Sequence, residues 1–349
     1  MKSKYWKIVR SYFVGWFIAM LLWELLRNTD QIPLHLTENS LSERIISFAM
    51  SWGSQALCYG VLHVFIDRYI KGRIPFARLL MVTLVLQIFV GLIILIVMFS
   101  LFKFVGVLES SLSLSEFILQ PLIIVAFIYA IVTNFVIVLF IYILLLLGEG
   151  NLLKMMRGKF YKPKVEERVF MFVDLRDSTT IAEKLGHIKY SLLIQDCFYD
   201  LAVVHNYGAE ICQYVGDEAV LVWPVKEGYK YINCINAFYA FQECIKKRKD
   251  HYMKEYNMVP EFKAGVNMGK ITITEVGEFK REIAYYGDTI NTAARIQGEC
   301  NRLNSDLLIS EAILNQIPIE PWLTASLKGQ VQLKGKSKVI SIYAIEKVE

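Results

Sequence analysis

Four apolar runs in the first 147 residues constrain this chain more than anything that follows them: residues 8–26, 45–66, 79–102 and 117–147. Each is long enough to cross a hydrocarbon layer of about 30 Å, which takes about 20 helical residues. With 55% hydrophobic residues in a chain of 349, the composition is too apolar for an ordinary soluble enzyme, and the length suffices for two units. The excess sits in the first half. Arg10 lies near the start of the first run and Glu24 near its end, but no small-residue cleavage site follows it, so it reads as an uncleaved span. The fourth run would be about 46 Å long as a helix, more than the layer needs, and is expected to continue beyond it. Glu24 and His63 read as lying near span ends, where ionisable side chains reach the interface cheaply.

The basic residues give an orientation. Lys2, Lys4, Lys7 and Arg10 precede the first run, Arg68, Lys71, Arg73 and Arg78 separate the second from the third, and Lys154, Arg157, Lys159, Lys162, Lys164 and Arg168 follow the fourth. Only Arg27, Arg44 and Lys103 occupy the remaining loops. This asymmetry predicts a multi-pass protein of the cell membrane with both termini in the cytoplasm. The same flanks account for most of the net charge of +5, which reads as an attraction to anionic lipid and not to nucleic acid. The six cysteines form no CxxC pair, and five of them fall in the expected cytosolic part, so reduced thiols are expected.

The organisation that follows is a helical membrane domain over 1–147, a linker over 148–166 and an α/β domain over 167–349. The linker, "GEGNLLKMMRGKFYKPKVEER", predicts a short amphipathic helix and a break at Pro163. Beyond it, "RVFMFVDL" has the continuous apolar character of a buried strand. In "DSTTIAEKLGH", Ser and Thr are placed to cap a helix and Gly186 to end it. A helix is expected over 188–206, a hairpin in "QYVGDEAVLVW" and a helix over about 229–248. "EFKAGVNMGKITITEVG" reads as two strands, "GDTINTAARIQGECN" as a helix after Gly287, and "SDLLIS" and "KVISIYAIEK" as late strands.

Asp174 ends the first strand and Asp217 sits at the hairpin turn beside Glu218. Carboxylates at such positions suit a hard divalent cation, although Asp is also common as a turn former. In "NTAAR", Asn291 and Arg295 are four apart and share one helix face, offering an amide and a guanidinium to one ligand. An exposed helix face would explain Arg295 but explains Asn291 less well, since Asn is a poor helix former. The "GDE" string alone also fits a diguanylate cyclase, but Val215 before Gly216 and Ala219 after Glu218 depart from that turn.

Taken together, "FVDLRDSTTIAEKLG", "QYVGDEAVLVW", "GVNMGKI", "YYGDTINTAARI" and "LKGK" resemble, in order and spacing, the class III adenylate and guanylate cyclase catalytic domain. The resemblance covers about residues 166–347 and implies an α+β sandwich with a ferredoxin-like core. It implies Asp174, Asp217 and the carbonyl of Leu175 as ligands of two Mg²⁺ or Mn²⁺ ions, and Asn291 and Arg295 as the pair that steadies the transition state. It also implies Lys334 as the residue holding the terminal phosphates, with Lys336 beside it, and the amides around Ser178 and Thr179 as a phosphate cradle. Gln213 and Ala284 match the base-selecting positions, where adenylate cyclases often carry Lys and Asp; the purine therefore stays open between ATP and GTP. In the family each active site forms between two catalytic domains, so one such domain per chain implies a homodimer. The expected reaction is conversion of ATP to 3′,5′-cyclic AMP and pyrophosphate, with cyclic GMP formation, or a catalytically silent nucleotide receptor, as the rivals.

Overall fold

The structure is a computed structural model that describes residues 2–27, 41–69, 76–104, 111–148, 151–332 and 339–348. It separates into two compact units, Met1–Leu146 and Leu147–Glu349.

The first unit consists of α1 (Lys2–Arg27), α2 (Leu41–Tyr69), α3 (Phe76–Phe104), α4 (Leu114–Ile118) and α5 (Pro121–Leu147). Among the described residues three helices are long and apolar enough to cross a membrane: Tyr5–Leu25, Arg78–Phe104 and Pro121–Leu146. The second expected span lies on α2, which is not among the three; Ser51, Ser54, Gln55, His63 and Asp67 interrupt its apolar character. The fourth run differs from the expectation at its start. It divides before Pro121, whose ring cannot continue a preceding helical turn. Its helix ends at Leu147, where the run ends, with Gly148 at φ 82°; its 27 residues span about 40 Å, still more than the hydrocarbon layer needs.

The exterior of this unit is apolar, with Val14, Val85, Phe89 and Val136 all exposed, and its interior combines an apolar core that includes Trp16, Ile66, Leu79 and Val138 with several polar side chains. Tyr12, His63, Thr83, Gln87 and Asn134 are buried. The Gln87 amide donates to the Tyr12 hydroxyl at 3.0 Å, which lies 3.1 Å from Nδ1 of His63. Trp16 Nε1 donates to Asn134 Oδ1 at 3.3 Å. His63 is buried in this interior. It lies nearly two turns inside α2, which runs on to Tyr69.

The second unit begins with α6 (Asn151–Met156) and is built on one eight-stranded sheet. Its strands are β1 (Lys164–Leu175), β2 (Glu210–Val215), β3 (Glu218–Pro224), β4 (Phe262–Val276), β5 (Glu282–Tyr286), β6 (Leu307–Ser310), β7 (Leu323–Gln332) and β8 (Val339–Lys347). Their order is β2-β3-β1-β4-β6-β8-β7, with β5 also paired to β4. Among the described residues only β4 and β6 run parallel. The helices are α7 (Ser178–Leu201), α8 (Val225–Tyr229), α9 (Asn233–Lys247), α10 (Lys249–Tyr256), α11 (Asp288–Gly298) and α12 (Glu311–Leu314).

Helices cover both faces of β1, which explains its unbroken apolar run although its neighbours are antiparallel. Val169, Met171, Val173 and Leu175 pack with residues of α7, α9 and α10, whereas Phe170 and Phe172 pack on the other face with Ala293 of α11. The two strands expected in "EFKAGVNMGKITITEVG" are a single strand, β4. It pairs with β1 without interruption from Phe262 to Ile273 and changes partner only on its other edge, from β6 to β5. Gly186, at φ 73°, does break the helical backbone between two segments of α7. The linker is held to this unit: Phe160 is buried among Phe170, Phe172, Val220 and Val222, and Lys154 Nζ lies 2.8 Å from Glu210 at the start of β2.

Candidate active site

Antiparallel pairing sets the core of the site. Asp174, near the end of β1, stands opposite Glu218 on β3 and opposite Lys263 on β4, so one row across the sheet reads Glu218, Asp174, Lys263. Asp217 occupies the turn before β3, after Gly216 at φ 61°, a left-handed backbone that glycine adopts without strain. The structure thus brings Asp174, Asp217 and Glu218 together. Burial, then the charge of Asp217, raises the pKa of Asp174 against the opposing pull of Lys263 and Gln297. Burial and the charges of Asp174 and Asp217 push Glu218 up to about 7.

Leu175 is buried and pairs with Phe262. The chain then turns through Asp177, left-handed at φ 50°, into α7. Ser178 and Thr179 do not cap this helix as expected; they are its first residues, and Asp177 is the N-cap without a side-chain capping bond. Side-chain caps form only when the residue before the helix is extended, and Asp177 is not. The Ser178 side chain engages Tyr190, whose pKa is raised by burial and by the charge of Asp217.

Helix α11 is seated by three alternating residues of β4, Gly265, Asn267 and Gly269. A Cβ at Gly265 would lie 2.1 Å from the backbone nitrogen of Gln297, so the helix approaches this closely only because the position is glycine. Asn267 donates to the Thr289 carbonyl at 3.0 Å. The inner face of α11 is Thr289, Thr292, Ala293, Ile296 and Gln297. Asn291 is exposed and Arg295 half-buried. Among the described residues neither side chain has a hydrogen-bonding or ionic partner, and the structure does not join them to the carboxylates of the same chain. Gln213 is exposed on β2 and Ala284 half-buried on β5, with β3, β1 and β4 between those strands. Lys334 and Lys336 lie outside the described residues.

Residues 160–347 match the family model of the adenylate and guanylate cyclase catalytic domain. The chain belongs to this family. It is similar to adenylate cyclase 2 of Rhizobium meliloti (strain 1021), 33% identical over 62% of this chain and 60% of that protein. It is also similar to the receptor-type guanylate cyclase gcy-5 of Caenorhabditis elegans, 25% identical over 51% of this chain and 16% of that protein. The chain thus spans less than two thirds of either relative. The crystal structure of the adenylyl cyclase CyaB from P. aeruginosa aligns with 54% of this chain and 97% of its own length, at a TM-score of 0.47 and 20% identity.

As a cyclase-family domain, the unit has a donor set suited to a hard cation. Asp174, Asp217 and the Leu175 carbonyl are all oxygen donors, and two carboxylates completed by substrate phosphates are an ordinary Mg²⁺ arrangement. No group of three or more His, Cys, Asp and Glu side chains among the described residues is arranged to hold a metal ion unaided. The crowding that raises Asp174 and Glu218 is what an added cation would relieve. Sequence reasoning missed Lys263 and Gln297, both buried and both bonded to Asp174. The strand register that places Lys263 opposite Asp174 leaves no local signal. Gln297, however, follows Arg295 by two residues, about 200° around the helix, and so had to face the sheet if Arg295 faced away.

Proposed function

We propose that this protein is a membrane-bound nucleotide cyclase that converts ATP to 3′,5′-cyclic AMP and pyrophosphate in a homodimer. The observation that carries the reading is the split of the site: Asp174 and Asp217 gather at one end of the sheet, while Asn291 and Arg295 project from the outer face of α11 without partners among the described residues. A second copy related by a two-fold axis would complete both sites at once.

In this reading Asp174, Asp217 and the Leu175 carbonyl hold two Mg²⁺ or Mn²⁺ ions. When bound, such ions supply Lewis-acid charge that favours ionisation of the ribose 3′-hydroxyl and neutralises the leaving pyrophosphate. Asn291 and Arg295 of the opposite copy donate hydrogen bonds to the oxygens of the α-phosphate as charge builds there. First-turn amides at Ser178 and Thr179, with Lys334 and Lys336, hold the terminal phosphates. Gln213 reads the base, and Ala284 contributes shape alone. Because an amide both donates and accepts, Gln213 also suits guanine, and GTP is the alternative substrate.

The apolar helices α1, α3 and α5, with α2 as a fourth, anchor the enzyme in the lipid of the cell membrane with both termini in the cytoplasm, as the basic flanks favour. Residues 148–166 couple the two domains. The Lys154–Glu210 ion pair supports this, since Glu210 begins the strand that leads to Asp217.

The test is incubation of the purified full-length protein with Mn²⁺ and either ATP or GTP. Cyclic AMP is the expected product. Cyclic GMP alone would reverse the base assignment, and neither product would leave a silent nucleotide receptor. Identical rates from the full chain and residues 160–349 would remove the coupling claim.

A further inference from the structure

Asp174 is held as well as placed. Lys263 Nζ lies 3.2 Å from its Oδ2, and Gln297 Nε2 donates to the same oxygen at 2.9 Å. Both side chains are buried, Lys263 with 10% of its side chain exposed. A buried ammonium or amide is costly unless it is paired, so neither residue is free to wander from this oxygen. Among the described residues no hydrogen bond engages the other oxygen, Oδ1.

We propose that Lys263 and Gln297 are positioning residues that divide the Asp174 carboxylate into a fixed oxygen, Oδ2, and a presenting oxygen, Oδ1, which faces the cation. This rests on the reading of Asp174 as a metal ligand. Two donors from different elements converge on Oδ2, one from the adjacent strand β4 and one from α11, and together they fix both the rotation of the carboxylate and its tilt. The arrangement has a further consequence. Gln297 reaches Asp174 only because Gly265 lets α11 lie against β4, and the same helix carries Asn291 and Arg295 on its other face. The seating that orients the metal ligand of one copy therefore also sets how far its transition-state pair projects toward a partner. Partners of metal ligands typically contribute 10- to 100-fold in metal affinity.

The experiment uses the full-length protein in detergent and reads Mn²⁺ alone, by the loss of the free-ion electron paramagnetic resonance signal. It compares Gln297→Leu, Lys263→Met, Lys263→Arg and Asp174→Ala with the parent. The same proteins are assayed for the split between kcat and KM. Gln297→Leu and Lys263→Met are expected to weaken Mn²⁺ binding by about 10- to 100-fold, with Lys263→Arg recovering most of the loss because it restores a donor to Oδ2. Activity should fall through the metal requirement and kcat, with KM for nucleotide changed little at saturating Mn²⁺. Parent-like Mn²⁺ binding in both Gln297→Leu and Lys263→Met, with binding lost in Asp174→Ala, would overturn the positioning role and leave the metal reading standing. Tighter binding in Lys263→Met would also overturn it, by making Lys263 a competitor for the carboxylate. Unchanged binding in Asp174→Ala would remove the metal reading itself. If Lys263→Met does not fold, Gln297→Leu decides alone, because it removes one hydrogen bond without leaving a charge.

Discussion

The two units invert one another. In the helical unit large apolar side chains such as Val85 and Phe89 face outward, and buried polar ones pair inside beside an apolar core, Gln87 and His63 with Tyr12, and Asn134 with Trp16. In the catalytic unit the interior is apolar on both faces of the sheet, and the polar side chains that matter collect at its rim. The difference follows from solvent. Lipid offers no hydrogen bonds, so a helix facing it must turn its polar groups inward. Water lets the catalytic unit leave groups uncommitted, and there the carboxylates crowd one another while Asn291 and Arg295 have no hydrogen-bonding or ionic partner among the described residues. Closed chemistry in one unit and open chemistry in the other predict unequal responses to mutation.

The largest effects belong to the open chemistry. Asp174→Ala and Arg295→Ala should each lower the cyclisation rate by on the order of 10²–10³, with little change in thermal stability for Arg295→Ala, whose side chain has no hydrogen-bonding or ionic partner among the described residues. Co-expressing the two variants gives a sharper result. If the site is shared between copies, half of the dimers are mixed and each has one intact site, so activity should return to about a quarter of the parent. An inactive mixture would show that one chain supplies the whole site, and the openness of this unit would then be only apparent.

Next in size is the seat of α11. Gly265→Ala places a methyl against the backbone of Gln297 and the Ala293 carbonyl, at 2.1 and 2.7 Å, where no side chain can swing aside. A loss of about 1–3 kcal/mol is expected from overpacking, with activity falling further than stability as α11 is pushed off the sheet. Denaturant melts and rate measurements on one preparation check this. A tolerant Gly265→Ala would mean that the helix has slack, and that the placement of Asn291 and Arg295 is not built from the strand.

These cases show what was legible in the sequence. The apolar run 168–173 and the Asn291–Arg295 face repeat over a few residues, so period alone revealed them. The Glu218, Asp174, Lys263 row depends on the register of strands far apart in sequence, which period does not encode. The same reason explains the reading of β4 as two strands. Gly269 looks like a break locally, but β1 runs unbroken alongside and carries the strand through, with Arg168 opposite Gly269. The fourth run divides before Pro121 for a local reason that hydropathy does not weigh: proline is punctuation.

A smaller effect should appear in the carboxylate cluster as a function of pH. In the cation-free protein Glu218 is raised from 4.5 to about 7. The folded state therefore holds its proton more tightly than the unfolded chain does. Stability from this group is full below the unfolded value and is lost as pH rises through about 7. Glu218→Gln, neutral throughout, should match the parent in melts near pH 5 with chelator present and exceed it near pH 8 by on the order of 1 kcal/mol, since the group is half exposed and screened. A difference that grows toward acid would mean that the crowding is already balanced by Lys263, and that the cluster is less open than its geometry indicates.

The smallest effect should come from the closed unit, and it tests the inversion itself. Tyr12→Phe removes the hydroxyl that links Gln87 of α3 to His63 of α2 while keeping the ring buried. In water-soluble interiors, stranding a buried amide costs about 1–3 kcal/mol. In a lipid-exposed bundle such bonds average about 0.6 kcal/mol, because helices that come apart in the bilayer find substitute partners. Unfolding the purified protein in mixed micelles, against the Gln87→Leu and double variants, isolates the coupling between the two side chains. A coupling near the smaller figure fits helices whose unfolded reference is still lipid. One several-fold larger would place Tyr12 and Gln87 in an interior built like that of the catalytic unit, and the contrast between the two would then lie in the sheet's rim and not in the solvent.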